Sequence, residues 1–218
     1  MKTAVGIPCS ETARFSLFYD SLLHVRGVTH ENVIMARGAN VAENRNAIAE
    51  EVLAKSYDAV LYADDDQALL PETLERLLAH DKDIVSGLYL ARESPFVPMM
   101  FEIIEARNCV KLLSSSAGGL VPIVAAGAGC LLVKATVFKI MERPWWRLGQ
   151  IDKVGWSDDI DFCSRARQAG FSLWCDLDCL VGHQTQAVVW PHRTPDGEWV
   201  TGLMIGNEAV AVLPAAHV

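Results

Sequence analysis

The chain has 218 residues, 51% hydrophobic and 21% charged, a composition that suits a sizeable folded core and argues against disorder. Its 19 Lys and Arg face 27 Asp and Glu, a net charge of −8 with no basic run, so a nucleic-acid backbone is disfavoured as main partner. No apolar run is long enough to span a bilayer, the start lacks a signal-peptide pattern, and the six cysteines are scattered without CxxC spacing. Buried reduced thiols in a cytoplasmic protein are expected.

In chain order, residues 3–7 read as a strand ending at Pro8, and Phe15, Phe18 and Leu22 then recur at helical spacing. Val33–Ala36 is a second short apolar run. Across residues 44–56, Ile48, Val52 and Leu53 share one face while Glu50, Glu51 and Lys55 lie off it, predicting a helix. Ala59–Ala63 reads as a buried strand, and Asp64, Asp65 and Asp66 follow it directly. A sheet interior cannot hold three carboxylates, so the cluster must lie where the strand leaves the sheet. In an open α/β sheet that edge is where ligands bind. A bound cation would relieve the repulsion, and carboxylate oxygens suit Mg²⁺ or Mn²⁺. A solvated acidic turn is the other reading.

Pro71 and Glu72 suit a helix start, with Leu74, Leu77 and Leu78 as its inner face, and residues 83–90 are a further strand. This alternation predicts an α/β fold with a mostly parallel central sheet flanked by helices. The second half is less regular. Residues 99–104 and 109–113 are able to pair as a hairpin, 114–119 is a loop, 129–133 a strand and 136–141 a short helix. Ser157 reads as an N-cap, with Asp158 and Asp159 in the first turn and Gly170 just past the end. Residues 171–175 are the last convincing strand, and beyond Trp190 the pattern fades. With no repeat or linker, the expectation is a single domain with a small antiparallel addition, its core at about 3–185 and a C-terminal extension at about 186–218.

Four elements occur together: Leu61, Tyr62 and Ala63 before the three aspartates; Gly127, Ala128 and Gly129 before Cys130; Trp156, Ser157, Asp158 and Asp159; and Gly182 with His183. In this order they resemble a glycosyltransferase of the GT-A (Rossmann-like) fold, closest to the family 2-like group with its small phage and bacterial versions. The resemblance implies that Asp64 and Asp66 are the two acids of a DxD motif. Asp66 would bind the metal, Asp64 the ribose or a metal-bound water, and Asp65 is the variable middle position. It implies that His183 completes the shell of Mn²⁺ or Mg²⁺, and that the metal acts as a Lewis acid on the leaving diphosphate.

Asp158 and Asp159 then take the place of an acidic pair that is usually Glu-Asp in inverting members, with Asp159 as general base and Asp158 as substitute. Acids there also stabilise any helix start. Asp161, on the next turn, is expected to be structural. Pro8, Cys9, Ser10 and Glu11 match the loop that receives the donor base and ribose. Arg45 suits either a diphosphate or the acidic cluster. Gly127 and Gly129 would let the backbone approach the donor sugar or acceptor, and Trp145, Trp146 and Trp156 either stack on sugars or sit in the core.

The implied function is transfer of a sugar, inverting in the first reading and retaining in the other, from a nucleotide-sugar donor, a UDP-sugar first. The acceptor is open among glycan, metabolite, protein and modified DNA base. A nucleotidyltransferase would normally carry a glycine-rich basic loop after the first strand, which Pro8 and its neighbours lack. A non-catalytic nucleotide-sugar-binding module would need no acidic pair.

Overall fold

The computed structural model describes residues 1–9, 16–38, 40–93, 96–105, 109–112, 118–151, 154–193, 195, 199–205 and 208–214. Phe15, Ser10, Glu11 and residues 114–117 of the loop expected at 114–119 lie outside the described residues. The elements of the first half are β1 (Thr3–Pro8), α1 (Ser16–His24), β2 (Val33–Ala36), α2 (Val41–Ala54), β3 (Ala59–Ala63), β4 (Gln67–Ala68), α3 (Thr73–Ala79) and β5 (Ile84–Leu88). There follow β6 (Met100–Glu105), β7 (Cys109–Leu112), β8 (Leu120–Ile123), β9 (Ala125–Ala126), β10 (Cys130–Lys134) and α4 (Ala135–Ile140). The remainder is β11 (Gly149–Ile151), β12 (Val154–Trp156), α5 (Asp158–Gln168), β13 (Leu173–Leu180), β14 (Gly182–His183), β15 (Ala187–Arg193), β16 (Trp199–Ile205) and β17 (Glu208–Pro214).

The central sheet has seven strands in the order β2-β1-β3-β10-β5-β13-β8. β2, β1, β3, β5 and β13 run one way, while β10 and β8 run against them. Strand alternation divides the core between two faces. Val60 and Tyr62 of β3 join Ile48 and Val52 of α2, Phe138 of α4 and Phe162 of α5. Leu61 and Ala63 of the same strand join Phe18 and Leu22 of α1 and Leu74 and Leu77 of α3. Burying such side chains contributes on the order of 1.5–3 kcal/mol each before entropy is counted.

Several boundaries move for local reasons. α2 begins before residue 44 because the Asn40 side chain accepts from the Glu43 amide at 2.9 Å, a proper N-cap. β13 extends well past residue 175, pairing in parallel with β5 and antiparallel with β8. The hairpin of β6 and β7 is present, and β6 also pairs with β9. Beyond Trp190, where the sequence pattern fades, β15, β16 and β17 form a three-stranded antiparallel sheet.

Direction decides where chemistry is able to gather. The parallel strands β1, β3, β5 and β13 all leave the sheet at one edge. Because β10 is antiparallel, with Cys130 opposite Ala63, its preceding residues Gly127 and Gly129 arrive at that same edge. Chain segments far apart in sequence therefore meet there.

Candidate functional site

After β3 the Asp64 amide donates to the Gly129 carbonyl (3.1 Å), and the Gln67 amide returns to the Asp64 carbonyl (3.1 Å). That closes a four-residue turn with Asp65 and Asp66 at its corners. β4 then pairs antiparallel with β14, setting His183 opposite Gln67, and the Gln184 amide donates to the Asp66 carbonyl (2.8 Å). The result is a contact between positions 117 apart in sequence: His183 Nε2 stands 3.2 Å from Asp66 Oδ2.

The other ring nitrogen, Nδ1, lies 2.7 Å from the Leu90 carbonyl oxygen. A carbonyl only accepts, so Nδ1 carries hydrogen and Nε2 is left to donate as imidazolium or to offer a lone pair. Burial would lower the His183 pKa, but Asp66 and the Leu90 carbonyl outweigh it and raise the pKa above its ordinary value. Burial would likewise raise Asp66, yet the bond with His183 and the nearby charge of Arg92 hold it below the usual carboxylate range. Arg92 Nη1 donates to the same Oδ2 at 2.9 Å. The Tyr89 ring meets the His183 ring edge-to-face at 5.6 Å.

Among the described residues no group of three or more His, Cys, Asp and Glu side chains is arranged to hold a metal ion. The donor set at Asp66 and His183 still fits a divalent cation shared with a ligand. Metal-binding imidazoles are characteristically oriented by a backbone carbonyl on the second nitrogen, as Leu90 does here. Mg²⁺-type sites commonly take only one or two protein carboxylates, with substrate phosphates and water supplying the rest.

Asp64 is engaged elsewhere. Arg45 Nη2 donates to Asp64 Oδ1 and Oδ2 (2.8 and 3.0 Å), while Nη1 donates to Asp158 Oδ2 (2.7 Å). Of the two alternatives for Arg45, the structure places it on the acidic cluster. Its side chain is 4% exposed, that of Asp158 6%, and that of Asp64 29%. Burial would lower the Arg45 pKa, but Asp64, Asp158 and Asp159 more than offset this and raise it. Trp146 flanks the guanidinium at 5.4 Å and stacks on Phe162 at 4.0 Å. Trp145 and Trp146 are both buried, so they are core side chains and not sugar platforms. The Trp156 side chain lies outside the described residues.

At the start of α5, Ser157 has the extended backbone of an N-cap but its hydroxyl makes no cap bond; instead it hydrogen-bonds Asp159. The two adjacent acids part company here. Asp158 is buried in its ion pair, whereas Asp159 is half-buried and keeps Oδ1 on the Ile160 amide (2.8 Å). Burial raises the Asp159 pKa, and the opposing bond from Ser157 and charge of Arg45 do not cancel it. Asp161 takes a structural role, paired with Arg147 at 2.8 Å.

Gly127 and Gly129 form the floor between the two ends of the site. The Gly129 amide donates to the Tyr89 hydroxyl (3.0 Å). A Cβ at Gly127 would lie 2.1 Å from that hydroxyl oxygen and 3.5 Å from Asp159 Oδ2. Gly127→Ala is therefore expected to cost about 1–3 kcal/mol by overpacking. In a melting-temperature cycle, Tyr89→Phe should recover part of that loss, and full additivity of the two changes would contradict this contact.

Pro8 and Cys9 reach the same edge at the end of β1. The Cys9 amide donates to the Ala36 carbonyl (2.9 Å), and its carbonyl accepts from Asn44 Nδ2 (3.2 Å), so its backbone is engaged within the protein. Cys9, Cys130, Cys163, Cys175 and Cys179 are free and buried. Sequence reasoning missed Tyr89, Arg92 and Gln67. Tyr89 and Arg92 follow the exit of β5, on the edge already marked by the aspartates, which was the available signal. Gln67 is buried with both side-chain amide atoms unpartnered among the described residues, and only packing reveals it.

No protein-family model matches the chain, and no curated protein matches it in sequence. Solved structures do. The crystal structure of A197 from STIV is similar with a TM-score of 0.62 at 17% identity, over 100% of both chains. The crystal structure of GalNAc-T7 with UDP, GalNAc and Mn²⁺ is similar with a TM-score of 0.55 at 12% identity. That likeness covers 84% of this chain and 43% of GalNAc-T7, so the chain spans less than half of the latter. The fold is of the GT-A type. Among the described residues no helix is long and apolar enough to cross a membrane.

Proposed function

We propose that the protein is a metal-dependent glycosyltransferase, a single domain that moves a sugar from a nucleotide-sugar donor, UDP-sugars first, to an acceptor hydroxyl. The observation that carries this reading is the meeting of Asp66 and His183 at 3.2 Å on the sheet edge that also holds the Arg45-anchored carboxylates. The UDP and Mn²⁺ named with GalNAc-T7 support the donor class and the ion.

Asp66 and His183 would hold Mn²⁺ or Mg²⁺, which when bound supplies Lewis-acid stabilisation of a departing diphosphate. Asp159 is the general base. It carries a carboxylate oxygen toward the Gly127 floor, while Asp158 is tied to Arg45. The acceptor oxygen bonds to the anomeric carbon as the bond to the diphosphate oxygen breaks. The hydroxyl proton passes to Asp159, and the nucleoside diphosphate leaves with the bonding pair. Attack opposite the leaving group inverts the anomeric centre. Arg45 acts as a positioning residue that fixes Asp64 against α5. The acceptor is a hydroxyl compound to be found among glycans, metabolites, proteins and modified DNA bases.

A panel of nucleotide sugars with and without Mn²⁺, read by melting temperature, tests the reading. At about 100 times its Kd a ligand adds about 2.7 kcal/mol to the folded state. For a chain of this size that is about 5–10 °C. The expected result is a metal-dependent rise with one donor, lost in Asp66→Ala. No rise with any donor would remove the nucleotide-sugar reading.

A further inference from the structure

Asp66 Oδ2 is approached from two sides, by Arg92 Nη1 at 2.9 Å and by His183 Nε2 at 3.2 Å. One carboxylate oxygen has two lone pairs; a cation held by Asp66 and His183 takes the one that His183 now occupies, and leaves the Arg92 guanidinium facing a second positive charge on the same oxygen. The two partners are held very differently. His183 is fastened through Nδ1 to the Leu90 carbonyl, its backbone is paired in β14, and its side chain is 17% exposed. The Arg92 side chain is 54% exposed and reaches Asp66 through Nη1. It projects from a loop whose base is closed by the Ala91 amide on the Val97 carbonyl (2.8 Å) and the bridge between Leu90 and Pro98. An exposed ion pair of this kind is weak, and the long side chain is able to swing without disturbing the fold.

We propose that Arg92 is an exchangeable counter-ion: its guanidinium and a divalent cation take the same oxygen of Asp66 in turn, and the released guanidinium then pairs with the donor's diphosphate. The first half rests on the shared oxygen together with the repulsion between a guanidinium and a divalent cation on it; the second rests on the nucleotide-sugar reading. A guanidinium suits that second partner, since its planar fork matches phosphate oxygens two at a time. Arg45 cannot play this part, because it is buried and bound to two carboxylates. The two arginines thus divide a fixed role from a movable one.

The test uses the full chain with Mn²⁺ alone, followed by the electron paramagnetic resonance of free Mn²⁺, and then UDP at saturating Mn²⁺ followed by calorimetry. Arg92→Met is expected to bind Mn²⁺ about two- to five-fold more tightly, the scale of an exposed ion pair. Its UDP affinity is expected to fall about tenfold or more, with Arg92→Lys between it and the wild type in both measurements. Unchanged or weaker Mn²⁺ binding by Arg92→Met overturns the exchange. Tighter Mn²⁺ with unchanged UDP affinity overturns the transfer to diphosphate. Tighter Mn²⁺ with no UDP binding by any chain supports the exchange and overturns the UDP-sugar reading instead. Failure of the wild type to take Mn²⁺ overturns both.

Discussion

Replacing Arg45 by methionine is expected to lower the melting temperature by about 6–20 °C, the equivalent of about 3–5 kcal/mol in a chain of this size. The loss does not come from a missing attraction alone. Asp158 is buried, and without Arg45 its carboxylate has neither a cation nor bulk water to stabilise its charge. Asp64, with a more exposed side chain, is able to recover hydration and should contribute less. Arg45→Lys is expected to rescue only partly, since one compact ammonium cannot bridge two carboxylates as the guanidinium does through Nη1 and Nη2. Adding Asp158→Asn to Arg45→Met should restore part of the stability by removing the stranded charge. Circular-dichroism melts of the wild type, Arg45→Met, Asp158→Asn and the double variant decide the matter: strict additivity would mean that the ion pair is not what anchors α5 to α2.

Asp159→Asn should leave the fold and donor binding intact while reducing kcat by about 10²–10⁴, the usual contribution of a positioned general base. The separation of effects identifies the role. The ionised Asp159 carboxylate sits in a partly desolvated place that raises its pKa, so removing its charge should leave the melting temperature unchanged or slightly higher. A merely structural acid would instead lower it. The sign of the pH dependence follows from the same shift. Only the carboxylate form accepts a proton, so kcat should climb as pH rises through a midpoint above the ordinary carboxylate range. That acidic limb should vanish in Asp159→Asn. Undiminished turnover in the variant would take Asp159 out of the mechanism.

Which groups were readable from the amino-acid order depends on how local their causes are. The strand Ala59–Ala63 and the acids behind it are a local matter: apolar side chains seek the sheet and carboxylates cannot follow them into it. The start of α5 is also local, with Ser157 before acids that suit a helix N-terminus. α2 was legible except at its first turn, where one Asn40 bond extends it.

Partner choice is another matter. Asp64 and Asp66 look equivalent in sequence, yet the turn at Asp65 sends one to Arg45 and the other to His183 and Arg92. Asp158 and Asp159 are adjacent and chemically identical, and only the reach of Arg45 from α2 to Asp158 separates an anchored acid from one facing Gly127. Trp146 had two readings until Phe162 and Arg45 closed around it. The sequence by itself determined most elements of the first half, the acidic strand exit and the residue types able to bind a cation or take a proton. The tertiary structure alone decided which charges meet. Periodicity records burial along one segment, whereas pairing of charges depends on strand order and direction, which bring distant segments to one edge.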